Sequence, residues 1–335
     1  MSKQQKWVFR PKEQQHHAML IKNHFFGNDC GNGRFGKYQK QYSFVLQNGV
    51  NNLYEPIRTE ALKYFKDNKI TWWGDNTKYP TEHTVSSQIA CINHLMFLRQ
   101  RPEAVLSLIN GLNKVRFNKV LPVPCDTDTS YIAFEVVSDN SYLNEQEQNR
   151  GSYCTSIDVL IYAEDVNKET WIIPIEWKYT EAYDDTLKED KSLEDYPWGI
   201  GKHGKGQERM RRYNDLITKS NQLKTLTNYE SSVYYFEPFY QLMRQTLWAE
   251  QMIKNRETEK IKADHYLHVH IVPKANVDLL EKTYKVSNQN MEDTWRSMLN
   301  DQSKYVIVDP QDFMEPIKKE YQELYKYVEI RYYGK

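Results

Sequence analysis

The sequence predicts a mixed α/β protein with a partly antiparallel central sheet, and three patterns predict it. In the front third, apolar residues recur at intervals of three and four, the helical period. Between residues 115 and 179 the pattern shifts to short β-branched and aromatic runs separated by turn-rich pieces, the mark of strands. Beyond residue 237, helical stretches alternate with two further strand-like runs.

Taken in order, residues 14–26 read as a short helix with Met19, Leu20 and Phe25 inward. The stretch 27–38, GNDCGNGRFGKY, packs four glycines into twelve residues but lacks the spacing of a phosphate loop. It reads as a mobile surface loop; the alternative is a substrate-facing flap using Arg34, Lys37 and Lys40. Residues 54–66 and 86–99 have helical periodicity, the second with Ser86 as its cap. Pro102 opens another helix that Gly111 closes. Strands follow at 115–123, 131–137, 155–162 and 170–179. An acidic segment, 181–195, holds seven Asp or Glu against two Lys, and a basic one, 199–212, holds five Lys or Arg against one Glu. Helices are expected at 207–223 and 237–254, a strand at 265–272, helices at 277–284 and 291–299, a strand at 304–308, and a helix after Pro310.

The 335 residues hold 45 Lys plus Arg and 45 Asp plus Glu, so a zero net charge argues against a protein that coats nucleic acid generally. Contact with a polyanion has to come from a local patch. The four cysteines are scattered without a C-x-x-C pair, which suits free thiols in a reducing compartment. The first residues, MSKQQKWVFRPK, lack an apolar signal core, and no apolar run is long enough to span a bilayer. The expectation is a cytoplasmic chain without a membrane partner.

The chemistry concentrates between Arg150 and Glu181, where two apolar strands joined by a polar turn each carry a misplaced acid: Asp158 in the first, Glu176 in the second. Residues two apart on a strand share a face, so Glu176 and Lys178 lie together and Trp177 points away. Directly opposed residues also share a face, so the carboxylates converge only if the numbers of paired residues sum to an even value. A turn centred on Asn167, with Asp165 opposite Glu169, satisfies this; a two-residue turn at Val166-Asn167 does not, unless a bulge corrects it. Two converging carboxylates are hard ligands suited to Mg²⁺ or Mn²⁺, and a neighbouring lysine offsets charge growing on a phosphorane.

Asp158 followed eighteen positions later by Glu176-Trp177-Lys178 resembles the D…(D/E)xK core of the PD-(D/E)xK nuclease superfamily, the restriction-endonuclease-like fold. The wider string of FE (134–135), YLNE (142–145), RG (150–151), TSID (155–158) and IEWKYTE (175–181) extends the match. With SSQIACIN (86–93) and FYQLMRQTLWAE (239–250) it is similar to a group of bacterial PD-(D/E)xK-like proteins. The resemblance implies an αβββαβ core with a mixed sheet in residues 81–275, a partly helical extension at 1–80 and a C-terminal α/β elaboration at 276–335. It implies divalent-metal-dependent phosphodiester hydrolysis, with Mg²⁺ or Mn²⁺ held by Asp158, Glu176 and Glu135, and Lys178 catalytic; it does not supply the substrate, for which DNA is the first expectation and RNA the second. Glu135 is the best match for the upstream acid such nucleases add, and Glu145 the second. Ile157 stands where the superfamily's name has proline.

The basic residues Lys202, Lys205, Arg209, Arg211 and Arg212 read as backbone-phosphate contacts, against a solvated loop paired with the acidic segment. Gln207, from the helix after the third strand, is a candidate helper, and Tyr179 and Glu181 are candidate neighbours of the site. Of the alternating His265, His268 and His270, the first faces away from the other two, which suits a structural role. A homodimer or a targeting partner is left open. Two competing readings have their own marks. A catalytically silent nucleic-acid-binding or regulatory protein on the same fold would bridge Asp158 and Glu176 with salt links and leave no open metal position; an unrelated α/β interaction protein would cover both acids with its helical front third.

Overall fold

Residues 157–165 and 170–177 are rich in Ile, Val and Trp, and they form the central hairpin of the sheet. The computed structural model describes residues 7–74, 77–145, 150, 154–183, 206–226 and 232–334. Its elements begin with α1 (Phe9–Lys22), β1 (Gly33–Phe35), β2 (Lys40–Tyr42), α2 (Arg58–Asp67), α3 (Ser87–Leu95) and α4 (Pro102–Gly111). The strands β3 (Phe117–Leu121), β4 (Ile132–Val136), β5 (Ile157–Asp165) and β6 (Thr170–Trp177) follow. Then come α5 (Gly206–Thr218), α6 (Phe239–Lys254), β7 (His265–Tyr266) and β8 (His268–Ile271). The last are α7 (Val277–Leu280), α8 (Met291–Ser297), β9 (Tyr305–Val308), α9 (Pro310–Met314) and α10 (Gln322–Tyr332).

The seven-stranded sheet has the path β3-β5-β6-β8-β9. Both β3 and β4 run antiparallel to β5 on one edge, β3 along residues 162–165 and β4 along 157–161. The strands β7 and β8 both run parallel to β6, and β9 runs parallel to β8. The sheet is therefore mixed: antiparallel through its hairpin strands and parallel after the crossover that contains α6. The order of helix, three antiparallel strands, helix and parallel strand is the expected αβββαβ succession, with β3 added beside it.

The hairpin turn fixes the register. Asp165 donates its N–H to the Glu169 carbonyl at 3.0 Å, and its side chain accepts from the N–H groups of Asn167 and Glu169. Val159 consequently pairs with Ile175 and Leu160 with Pro174, an even-sum register centred on Asn167.

Both faces of the sheet are covered. Val159, Ile161, Ile173, Ile175 and Trp177 pack with residues of α2, α3, α4 and α10. Leu160, Ile172 and Tyr266 pack with α5, α6 and α8. Each fully buried Val or Ile here contributes roughly 1.5–3 kcal/mol. The first of these clusters draws on the front, middle and tail of the chain at once.

Two segments differ from expectation. The first helix starts at Phe9, where the Asp278 carboxylate accepts the N–H groups of Val8 and Phe9. The glycine-rich stretch is no loose loop: it is anchored by Asp29, which accepts from the N–H groups of Gly31 and Gln47, and it continues as the β1–β2 hairpin. A Cβ on Gly33 would lie 1.9 Å from the Leu46 carbonyl oxygen, so only glycine lets the hairpin pack this closely.

Candidate active site

The register carries Asp158 and Glu176 to the same end of the central hairpin, one step beyond the Val159–Ile175 pair. There the strands border a cavity of about 570 Å³, within the range of ligand pockets (~300–1,000 Å³). Glu135, Asp158, Glu176 and Lys178 all line it, and Trp177 packs on His94 across the sheet, with ring centroids 4.7 Å apart.

Each charged group has a defined partner. Lys178 Nζ lies 2.5 Å from Glu176 Oε1 and donates to Gln241 Oε1 at 2.6 Å. Gln245 Nε2 donates to the other oxygen of Glu176, while Gln245 Oε1 accepts from His268 Nε2 at 2.8 Å. Asp158 Oδ2 accepts the Trp177 N–H at 2.8 Å. Its second oxygen meets no donor among the described residues. The Glu135 carboxylate accepts from Gln88 Nε2 at 3.0 Å and Ser156 Oγ at 2.7 Å. Its backbone is left-handed, φ 52°, an unusual state for a non-glycine residue inside a strand, and Arg150 Nε holds its carbonyl at 3.1 Å.

The electrostatics follow from this crowding. Burial, then the like charges of Glu176 and Glu135, push the Asp158 carboxyl well above its ordinary range; Lys178 and the Trp177 N–H oppose them. Burial also raises Glu135, against the hydrogen bonds from Gln88 and Ser156. Burial pulls Lys178 down, but Glu176, Tyr183, Glu181 and Asp158 outweigh it and hold the ammonium well above its usual value. Glu135, Asp158 and Glu176 thus crowd together beside Lys178, in a lining that also holds Glu181, Arg10 and Arg244, and the like charges around Asp158 favour a cation there.

Among the described residues no group of three or more His, Cys, Asp or Glu is disposed to hold a metal ion. The Glu135 carboxylate is engaged by Gln88 and Ser156. Asp158 and Glu176 still supply hard oxygens, and two carboxylates suffice for Mg²⁺, which keeps several waters. The open oxygen of Asp158 and its upward shift fit such an ion.

Other sequence candidates divide. Glu181 lines the cavity, accepting from the Ser87 hydroxyl and from the Tyr179 N–H at 2.7 Å. Tyr179 turns away, its hydroxyl donating to Glu13 at 2.6 Å. Glu145 is buried as an anchor for Thr155 and Tyr213. Arg209 is buried rather than exposed as expected, stacked 3.7 Å over Tyr240 and 3.4 Å from Glu237. Arg211 and Arg212 remain at the surface, where both pair with Glu208. Lys202, Lys205, the Gln207 side chain and most of the acidic segment lie outside the described residues. His268 and His270 share the Glu176 face and His265 does not; His270 bonds Tyr305 at 3.0 Å.

Sequence reasoning missed Gln241 and Gln245. Their signal was present: two glutamines four apart on one amphipathic helix, with Gln245 among apolar neighbours.

Fold and site together define a mixed α/β protein with an acidic, lysine-bearing cavity at the end of its central strands. The chain belongs to the family described as restriction endonuclease associating with ARP, whose model matches residues 8–333. Searches of curated proteins and of solved structures gave no match. No helix among the described residues is long and apolar enough to cross a membrane.

Proposed function

We propose that this protein is a divalent-metal-dependent nuclease that hydrolyses phosphodiester bonds in DNA. The observation that carries the reading is Asp158 beside Glu176 and Lys178 in one open cavity, with one Asp158 oxygen free of donors among the described residues. Membership of a restriction-endonuclease family supports it. Asp158 and Glu176 would hold Mg²⁺ or Mn²⁺, with Glu135 at the margin. When bound, the ion polarises the phosphodiester and makes water a better nucleophile.

The chain's own residues divide the remaining work. Lys178 is held protonated by the surrounding acids, so it serves as a donor and a fixed positive charge rather than as a base. It stabilises negative charge that grows on the phosphoryl oxygens. Gln241 aims the lysine and Gln245 aims Glu176. The family's description as associating with ARP supports a partner of that name for this chain.

The test is a panel of linear, nicked, branched and single-stranded DNA, plus RNA, incubated with Mg²⁺ or Mn²⁺. Cleavage of DNA that disappears in Asp158→Asn is expected. If nothing is cut and calorimetry detects no metal uptake, the reading fails. The Glu176–Lys178 ion pair favours a second reading, binding without cleavage, which the same panel separates when scored for both.

A further inference from the structure

We infer that the aromatic rim of the cavity, Phe35, Trp73 and His83, is a stacking site for an unpaired DNA base. The substrate class is then single-stranded or splayed DNA, not an intact duplex. The inference rests on the reading of the cavity as a phosphodiester site and names what enters it.

All three rings line the same cavity as Asp158 and Glu176. Ring centroids lie 4.7 Å apart for Phe35 and His83, 5.5 Å for Phe35 and Trp73, and 5.7 Å for Trp73 and His83. Trp73 is nevertheless 50% exposed. Among the described residues the exposed large aromatics are Tyr38, Trp73 and Tyr79, and all three belong to the β1–β2 hairpin or the loop just before α3. An indole left half in water beside a packed cluster is an open stacking partner. Every base offers a π-face, whereas bases in a duplex are already stacked on one another.

The rim sits at the right remove from the acids. Gln88 bridges them with a single amide: its Oε1 accepts the Trp73 N–H at 2.8 Å and its Nε2 donates to Glu135 at 3.0 Å. A base on Trp73 would place its own backbone near the carboxylates. The hairpin adds charge on the same side. Lys40 pairs directly with Phe35, so the two share a face, and Lys40 is exposed without an acidic partner among the described residues. The hairpin is also pre-built, held by Asp29 and the close packing of Gly33, which lowers the ordering cost of binding.

The experiment measures anisotropy of a labelled single-stranded oligonucleotide and of the matching blunt duplex, in chelator so that nothing is cut. Wild type is expected to prefer the single strand. Trp73→Ala should raise the single-strand Kd by about tenfold, Phe35→Ala by a smaller factor, and Trp73→Phe by less than about twofold. Thermal melting of each variant checks that it is folded. Equal affinity for both forms, no loss in Trp73→Ala and Phe35→Ala, or no binding at all overturns the inference. Cleavage by wild type with Mg²⁺ is scored separately. Trp73-dependent binding without cleavage sinks the nuclease reading and keeps the stacking site; cleavage of duplex that Trp73→Ala leaves unchanged does the reverse.

Discussion

Gln245 donates through Nε2 to the Glu176 carboxylate, and the other end of the same amide accepts from His268 Nε2 at 2.8 Å. Burial holds the imidazole down at about 3, so His268 is neutral at ordinary pH and has one N–H to give. That N–H settles which way the amide faces, and the amide settles the carboxylate. Gln245→Leu, which keeps the volume and removes both bonds, should weaken metal binding by about 10–100-fold. Titration calorimetry with Mn²⁺ reads this directly, and His268→Leu should reproduce part of the loss.

Lys178 and Glu176 form a pair with side chains only 6% and 4% exposed. Removing one partner from such a pair leaves a buried charge, at a cost of about 3–5 kcal/mol. Lys178→Met should show that loss by urea unfolding in metal-free buffer and lower the cleavage rate by about a hundredfold. Mg²⁺ should restore part of the stability and little of the rate, because the ion replaces the charge and not the donor.

The Asp158 carboxyl is raised in the folded chain above its ordinary 3.8. A raised acid favours the fold below its unfolded pKa, and that contribution is lost as pH climbs through the folded value. In metal-free buffer, stability at Asp158 should therefore fall as pH rises above the ordinary carboxylate range. Asp158→Asn removes the effect, so the gap in unfolding free energy between variant and wild type should widen in the variant's favour over that range. Metal uptake should release protons and tighten as pH rises.

Glu135 has φ 52° inside a strand, where a side chain is strained and glycine is not. Glu135→Gly should be more stable than Glu135→Ala by about 1 kcal/mol, although both lose the carboxylate. Paired thermal melts check the order.

The strand register was readable because alternation along a strand is rigid and the polar turn around Asn167 admits few lengths. That is why the convergence of Asp158 with Glu176 and Lys178 came down to a choice between two turns, of which the one centred on Asn167 forms. Helix faces were harder. Arg209 looked basic and available, yet Tyr240 and Glu237, some thirty positions on, turn it inward. Gln241 and Gln245 were ordinary residues until β6 came to lie beneath them. The 27–38 stretch misled because glycines that permit a loose loop also permit close packing, and Leu46, which decides between them at Gly33, is distant in sequence.

Arg331 is fully buried on α10, where it donates to the Asn52 carbonyl at 2.6 Å across a separation of 279 residues and to the Thr84 carbonyl at 3.3 Å. Thr84 lies between His83 on the rim and the start of α3, so one guanidinium from the far part of the chain clamps the wall that faces the acids. A contact this distant in sequence carries a large loop-closure entropy, which the packing around it has to offset. The cavity wall is thus held by a contact that needs both ends of the chain in place. A half-folded chain can own its acids and its lysine and still lack the wall that closes the cavity around them.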